Sequence, residues 1–103
     1  MVIGYDVSGN GKWVSLRMAS KIGDDPRSNG VVVHGSTGVE NDYSCHVSPN
    51  HHLCRWGDYA GASADPFDST TGHGHVWLVN QWITKSTSPN NGDWRTFVWR
   101  ANP

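Results

Sequence analysis

The sequence predicts an all-β chain built of short antiparallel meanders, and three observations carry that expectation. Six tryptophans and 12 glycines among 103 residues, against a single glutamate, favour strands and turns over helices. Windows free of Gly, Pro and β-branched residues are too short for an isolated helix to hold. Residues 12–19 alternate cleanly, with Val14, Leu16 and Met18 on one face and Trp13, Ser15 and Arg17 on the other, which is the period of a half-buried strand. At 103 residues the chain is a single β domain, 1–103, able to bury roughly 65% of its unfolded surface.

Taken in order, residues 2–7 read as a short strand closed by Ser8-Gly9-Asn10-Gly11, whose glycine and asparagine tolerate positive φ. The alternating strand at 12–19 follows. Residues 23–30 form a polar turn around Pro26, and Val31-Val32-Val33-His34 is a β-branched run ended by Gly35. The two strands on either side of that turn read as a hairpin with a loose loop. From 35 to 53 the periodicity is lost, and so long a connection is either a functional loop or one that needs a staple. Cys45 and Cys54 suit that role, and a bridge between them would contribute roughly 2–4 kcal/mol. The other reading is two reduced, unrelated thiols, as a cytosolic protein would keep them.

Residues 59–64 are nearly all small, which predicts a strand crowded by neighbouring backbones, and Asp65-Pro66 ends it because proline removes a ladder donor. A polar turn leads to an apolar strand at 75–83. A second polar turn leads to a last strand at 93–100, with Phe97 and Trp99 on one face and Trp94, Thr96 and Val98 on the other. Three strands joined by such turns read as an antiparallel meander.

The segment Arg55-Trp56-Gly57-Asp58-Tyr59, continuing through Ala60-Gly61-Ala62-Ser63-Ala64-Asp65-Pro66 and then Val76-Trp77-Leu78-Val79-Asn80-Gln81-Trp82, resembles a blade of the secreted, sialidase-like (BNR-type) β-propeller proteins. In that family an RWGDY-S-x-x-x-x-DP segment precedes a strand of the form x-W-x-x-x-E-Y. The likeness covers residues 54–99. Here Gln81-Trp82 stand where Glu-Tyr is usual, and the Asp-box (Ser-x-Asp-x-Gly-x-x-Trp) is absent. The resemblance implies meander sheets of propeller-blade type, with the small-residue strand innermost. A propeller needs at least about four blades, so this chain would be a fragment of a longer protein, one member of a ring, or a small β-sandwich or barrel that reuses the motif. It also implies a secreted or periplasmic location, although residues 1–5 lack the basic start and apolar core of a signal peptide.

Function is bounded first by charge. A net charge of −1 with 17% charged residues argues against a nucleic-acid or acidic-membrane partner, and no stretch approaches the ~18 apolar residues of a membrane span. His46, His51, His52, His73 and His75 cluster in loops, but they show no metal-ligand spacing and read as solvent-facing turn residues, so no metal or cofactor is expected. Arg55 and Asp58 flank Trp56-Gly57 and either hold a carboxylate or sugar ligand or pair with each other. Glycosidase chemistry needs two carboxylates facing across a bond, and Asp65 and Asp68 sit in turn contexts that already account for them. The tryptophans cannot all face one small core, so either some line a surface where a flat ring stacks on a sugar or a partner's side chain, or they pack sheet against sheet inside the fold or across a subunit contact. The expectation is a non-catalytic binding or assembly module with a glycan or protein ligand at Arg55, Trp56, Asp58, Tyr59, Trp77 and Trp82. The alternative is a fragment of a sialidase-like glycoside hydrolase. Sparse charge and unpartnered strand edges further predict a homo-oligomer.

Overall fold

The computed structural model describes residues 1–40, 43–46, 54, 56–67, 74–85 and 94–102. They form six strands in two antiparallel three-stranded sheets, each a meander in chain order. The first sheet holds β1 (Val2–Gly9), β2 (Lys12–Ser20) and β3 (Val31–Gly35), and the second holds β4 (Gly61–Ala64), β5 (Val76–Ile83) and β6 (Trp94–Ala101). A single 3-10 turn, Tyr43–His46, is the one helical segment among the described residues. Neither sheet closes into a barrel.

The hairpin between β1 and β2 turns through Asn10-Gly11, with Gly9 opposite Lys12 and a bulge between Val7 and Gly9. Gly11 takes φ +72°, a left-handed conformation that glycine adopts without steric cost. On β1 and β2 the residues Gly4, Asp6, Leu16 and Met18 lie in register on one face. That face meets the second sheet. A Cβ at Gly4 would sit 2.9 Å from Leu78 Cδ2 and 3.4 Å from the Trp99 ring, so the bare backbone here sets how closely the sheets approach.

The pairing of β2 with β3 bulges between Leu16 and Arg17, which brings His34 opposite Leu16 and on to the inner face. There the imidazole stacks on Phe97 at 4.4 Å and meets Trp82 edge-on at 4.3 Å, while Phe97 lies 6.0 Å from Trp99. Leu16 at 0% exposure, with Leu78, anchors the apolar side of this interface. Each aromatic pair adds about 0.5–1.5 kcal/mol beyond the area it buries.

β5 is the central strand of its sheet and carries buried residues on both faces: Leu78 and Asn80 on one, Gln81 and Ile83 on the other. Residues 36–38 clasp its far end. Ser36 N–H donates to Val14 O at 2.9 Å while its hydroxyl accepts from Ile83 N–H at 3.0 Å. Thr37 N–H then donates to Ile83 O, and Lys85 N–H to Thr37 Oγ1. The chain leaving β3 is therefore bonded to both sheets within three residues. At the opposite end, Met1, Val2, Ile22, Ala64, His75 and Val76 line a cavity of about 320 Å³.

Cys45 and Cys54 are bridged, with a Cα separation of 4.1 Å, and no free cysteine remains. Of the two readings open from sequence, the staple is the one that holds.

One expectation fails. The small-residue segment is not a crowded inner strand: β4 is a four-residue edge, exposed at every position, and β5 takes the centre. A side chain at Gly61 would touch only Val79, at 3.3 Å. Together with Gly4, Leu78 and Asn80, residues 60–62 line a cavity of about 240 Å³. Small side chains here leave space open; the neighbouring backbones do not demand them.

Candidate functional site

Two arrangements gather the chemistry-bearing side chains, one between the sheets and one on the outer face of the second sheet.

Between the sheets, Asp6 is the joint. It lies opposite Leu16 on the face turned toward β5. Its Oδ1 accepts from Asn80 Nδ2 at 2.7 Å and its Oδ2 from Trp56 Nε1 at 2.8 Å. Burial raises the Asp6 carboxyl above its ordinary value of 3.8, and the Trp56 hydrogen bond partly opposes that rise. Asn80 is buried, and its own Oδ1 accepts from Gln81 N–H at 2.8 Å, so both ends of the amide are engaged. Three chain segments far apart in sequence meet at this carboxylate.

Trp56 and Trp82, both expected to contact ligand, are half-buried and turned toward this interior. Trp56 is committed to Asp6, and Trp82 takes the edge of His34. Arg55 lies outside the described residues, and with it the expected Arg55–Asp58 pair. Asp58 is exposed beside Tyr59.

The outer face is different in character. Trp77, Val79, Gln81 and Ile83 of β5 lie in register with Arg100, Val98, Thr96 and Trp94 of β6. Trp77 and Trp94 are each 42% exposed, Val98 is 57% and Tyr59 is 59%. The segment before β4 crosses one end of this face: Gly57 N–H donates to Gln81 Oε1 at 2.9 Å, and Tyr59 stacks on Trp94 at 5.5 Å with 10° between ring planes. The two rings lie face to face, so each braces the other and keeps one face outward. At the other end, Trp77 Nε1 donates to Asp65 Oδ2 at 3.0 Å, while Asp65 Oδ1 accepts from Phe67 N–H at 3.0 Å. Proline at 66 holds the turn in which Asp65 does this.

Trp77 and Ile83 are six residues apart, and Trp94 opposes Ile83. At ~3.3 Å per residue the two aromatic ends stand about 20 Å apart. Val98 and Thr96 lie between them, and Arg100 stands opposite Trp77. The face is thus an open strip with aromatic side chains at each end, Trp77 at one of them fixed in orientation by a carboxylate.

Of the residues expected from sequence, Tyr59 and Trp77 are on this strip and Trp56 and Trp82 are off it. Trp94, not among the expected ligand residues, also lies on it. The alternation of β6 had already separated Trp94 and Val98 from Phe97 and Trp99, but period-2 patterning does not tell which face is outward. Among the described residues no group of three His, Cys, Asp or Glu side chains is placed to hold a metal ion. His46 is exposed and His75 half-buried, whereas His51, His52 and His73 lie outside the described residues.

Comparison with protein-family models, with curated proteins and with solved structures gives no match to this chain.

Proposed function

We propose that this chain is a non-catalytic binding module, and that the strip running from Trp77 to the stacked Tyr59 and Trp94 takes a glycan. The observation that carries the reading is Trp77. A large indole left 42% exposed gives up hydrophobic free energy, yet its orientation is fixed by a 3.0 Å bond to Asp65. A ring held in place in the unbound protein lowers the entropy lost on binding. Flat rings suit the C–H faces of pyranoses, because the apolar face of the sugar is desolvated while its hydroxyls stay in water. A strip of about 20 Å suits an extended oligosaccharide better than a single sugar. The resemblance to sialidase-like blades supports the same ligand class.

Both oxygens of Asp65 are already engaged by Trp77 and Phe67, so the binding reading stands ahead of a hydrolase that would use this carboxylate as acid or nucleophile. The disulfide favours an oxidising compartment, in keeping with a secreted or periplasmic module. Among the described residues no helix is long and apolar enough to cross a membrane.

A glycan array followed by titration calorimetry tests this. Trp77→Ala is expected to lower affinity for any positive glycan at least tenfold while the variant stays folded at the assay temperature by circular dichroism. An array without a hit, or a hit whose affinity survives Trp77→Ala, refutes the reading.

A further inference from the structure

We infer that the free edge of β6 pairs with β6 of a second copy of this chain, antiparallel and about a two-fold axis at Phe97. The inference does not rest on the glycan reading. Among the described residues no strand pairs with the far edge of β6. The four sheet edges differ in how well they are protected. β4 has four residues, β3 has five and faces a bulge, and β1 is interrupted by Gly4 and a bulge near Gly9. β6 has eight residues, no glycine or proline, and an unbroken register with β5 from Trp94 to Ala101. A long, regular edge of this kind presents a row of backbone donors and acceptors that a second strand satisfies.

Symmetry then selects the register. A two-fold axis that joins two edges antiparallel stands perpendicular to the sheet and leaves inner and outer faces where they were, so only residues of one face oppose each other. Arg95 lies on the inner face of β6 with Phe97 and Trp99, and Arg100 on the outer face with Trp94 and Val98. These two arginines therefore never oppose one another, and the charges that would ordinarily discourage such an edge do not repel. With the axis at Phe97, Arg95 opposes Trp99 of the second copy, Trp94 opposes Arg100, and Thr96 opposes Val98. Every cation meets an indole, on both faces and four times over by symmetry, which is the favourable cross-strand pairing of a guanidinium with an aromatic ring. The product is a continuous six-stranded sheet whose outer faces run together.

Sedimentation equilibrium over a micromolar to millimolar range is expected to show a mass twice that of the chain. The register is read by cysteines at exposed positions, which spares the fold. The double variant Thr96→Cys/Val98→Cys is expected to give a covalent dimer on mild oxidation, because the two positions oppose across the axis. Within one chain they lie two residues apart on one face, too far to bridge. The single variants are expected to stay uncrosslinked. Amide exchange should slow at alternate β6 residues as concentration rises. A monomer throughout the range overturns the inference, as does a dimer that leaves the double variant uncrosslinked, which would mean association through another surface. Crosslinking by Val98→Cys alone overturns it too, since that variant bridges only when the axis passes through Val98.

Discussion

Replacing Asp6 by alanine removes the one carboxylate that joins β1, β5 and the segment before β4. It accepts two hydrogen bonds, at 2.7 and 2.8 Å. A bond to a charged group contributes about 1.5–3 kcal/mol, so removing the acceptor of two would destabilise by about 3–6. Two effects reduce that figure: Asp6 is only half-buried, and burial already disfavours its charge, as its raised pKa indicates. Asp6→Ala is therefore expected to lower stability by about 2–4 kcal/mol, a large share of the ~5–15 typical of a domain. Asp6→Asn should lose about half as much, because an amide offers one oxygen to two donors and turns its NH2 on the other. Urea unfolding followed by the summed emission of the six tryptophans measures both. The midpoint should fall with the slope unchanged. If Asp6→Ala unfolds within ~0.5 kcal/mol of the parent, as an ordinary surface change does, then Asp6 does not join the sheets.

The raised Asp6 pKa gives the folded state more protons than the unfolded state just above the ordinary value of 3.8. Its stabilising contribution is then full below that value and is lost as pH rises through the folded pKa, so the margin of the parent over Asp6→Asn should narrow with rising pH in that window. Gly4→Ala, whose methyl meets Leu78 and Trp99, should destabilise by ~1–3 kcal/mol, whereas Ala62→Leu on exposed β4 should melt within error of the parent; the opposite ranking would refute the sheet packing. Replacing Cys45 and Cys54 together by serine should lose about 2–4 kcal/mol by urea titration, and an unchanged midpoint would remove the staple from the fold.

How far the sequence revealed this fold depended on which interactions are local. Strand positions were legible, because alternation at 12–19 and 93–100 and the β-branched run at 31–34 are properties of a few neighbouring residues. The disulfide was a reasonable reading of a loop too long to hold itself. The rank of strands within a sheet was not legible, since small residues at 60–64 suit either a crowded centre or an exposed edge, and only the pairing of β5 on both sides decides it. The site divided in the same way. Tyr59 and Trp77, expected at the site from the Arg55–Pro66 and Val76–Trp82 segments, are exposed beside and on the outer face of the second sheet. That Trp56 turns inward depends on Asp6, 50 residues away, and that Trp94 turns outward depends on which face of β6 is covered, and neither is a local property of the sequence.

The clasp at residues 36–38 has a mechanical meaning. It fastens both sheets at the end of β5 near Ile83, and Asp6 fastens them again near mid-strand, while the end near Val76 borders a cavity. The two sheets thus behave as a spring clip with its rivet at one end. A clip riveted at one end is expected to open first at the jaws near Val2, Lys21 and His75, and amide exchange faster there than around His34 is the measurement that checks it.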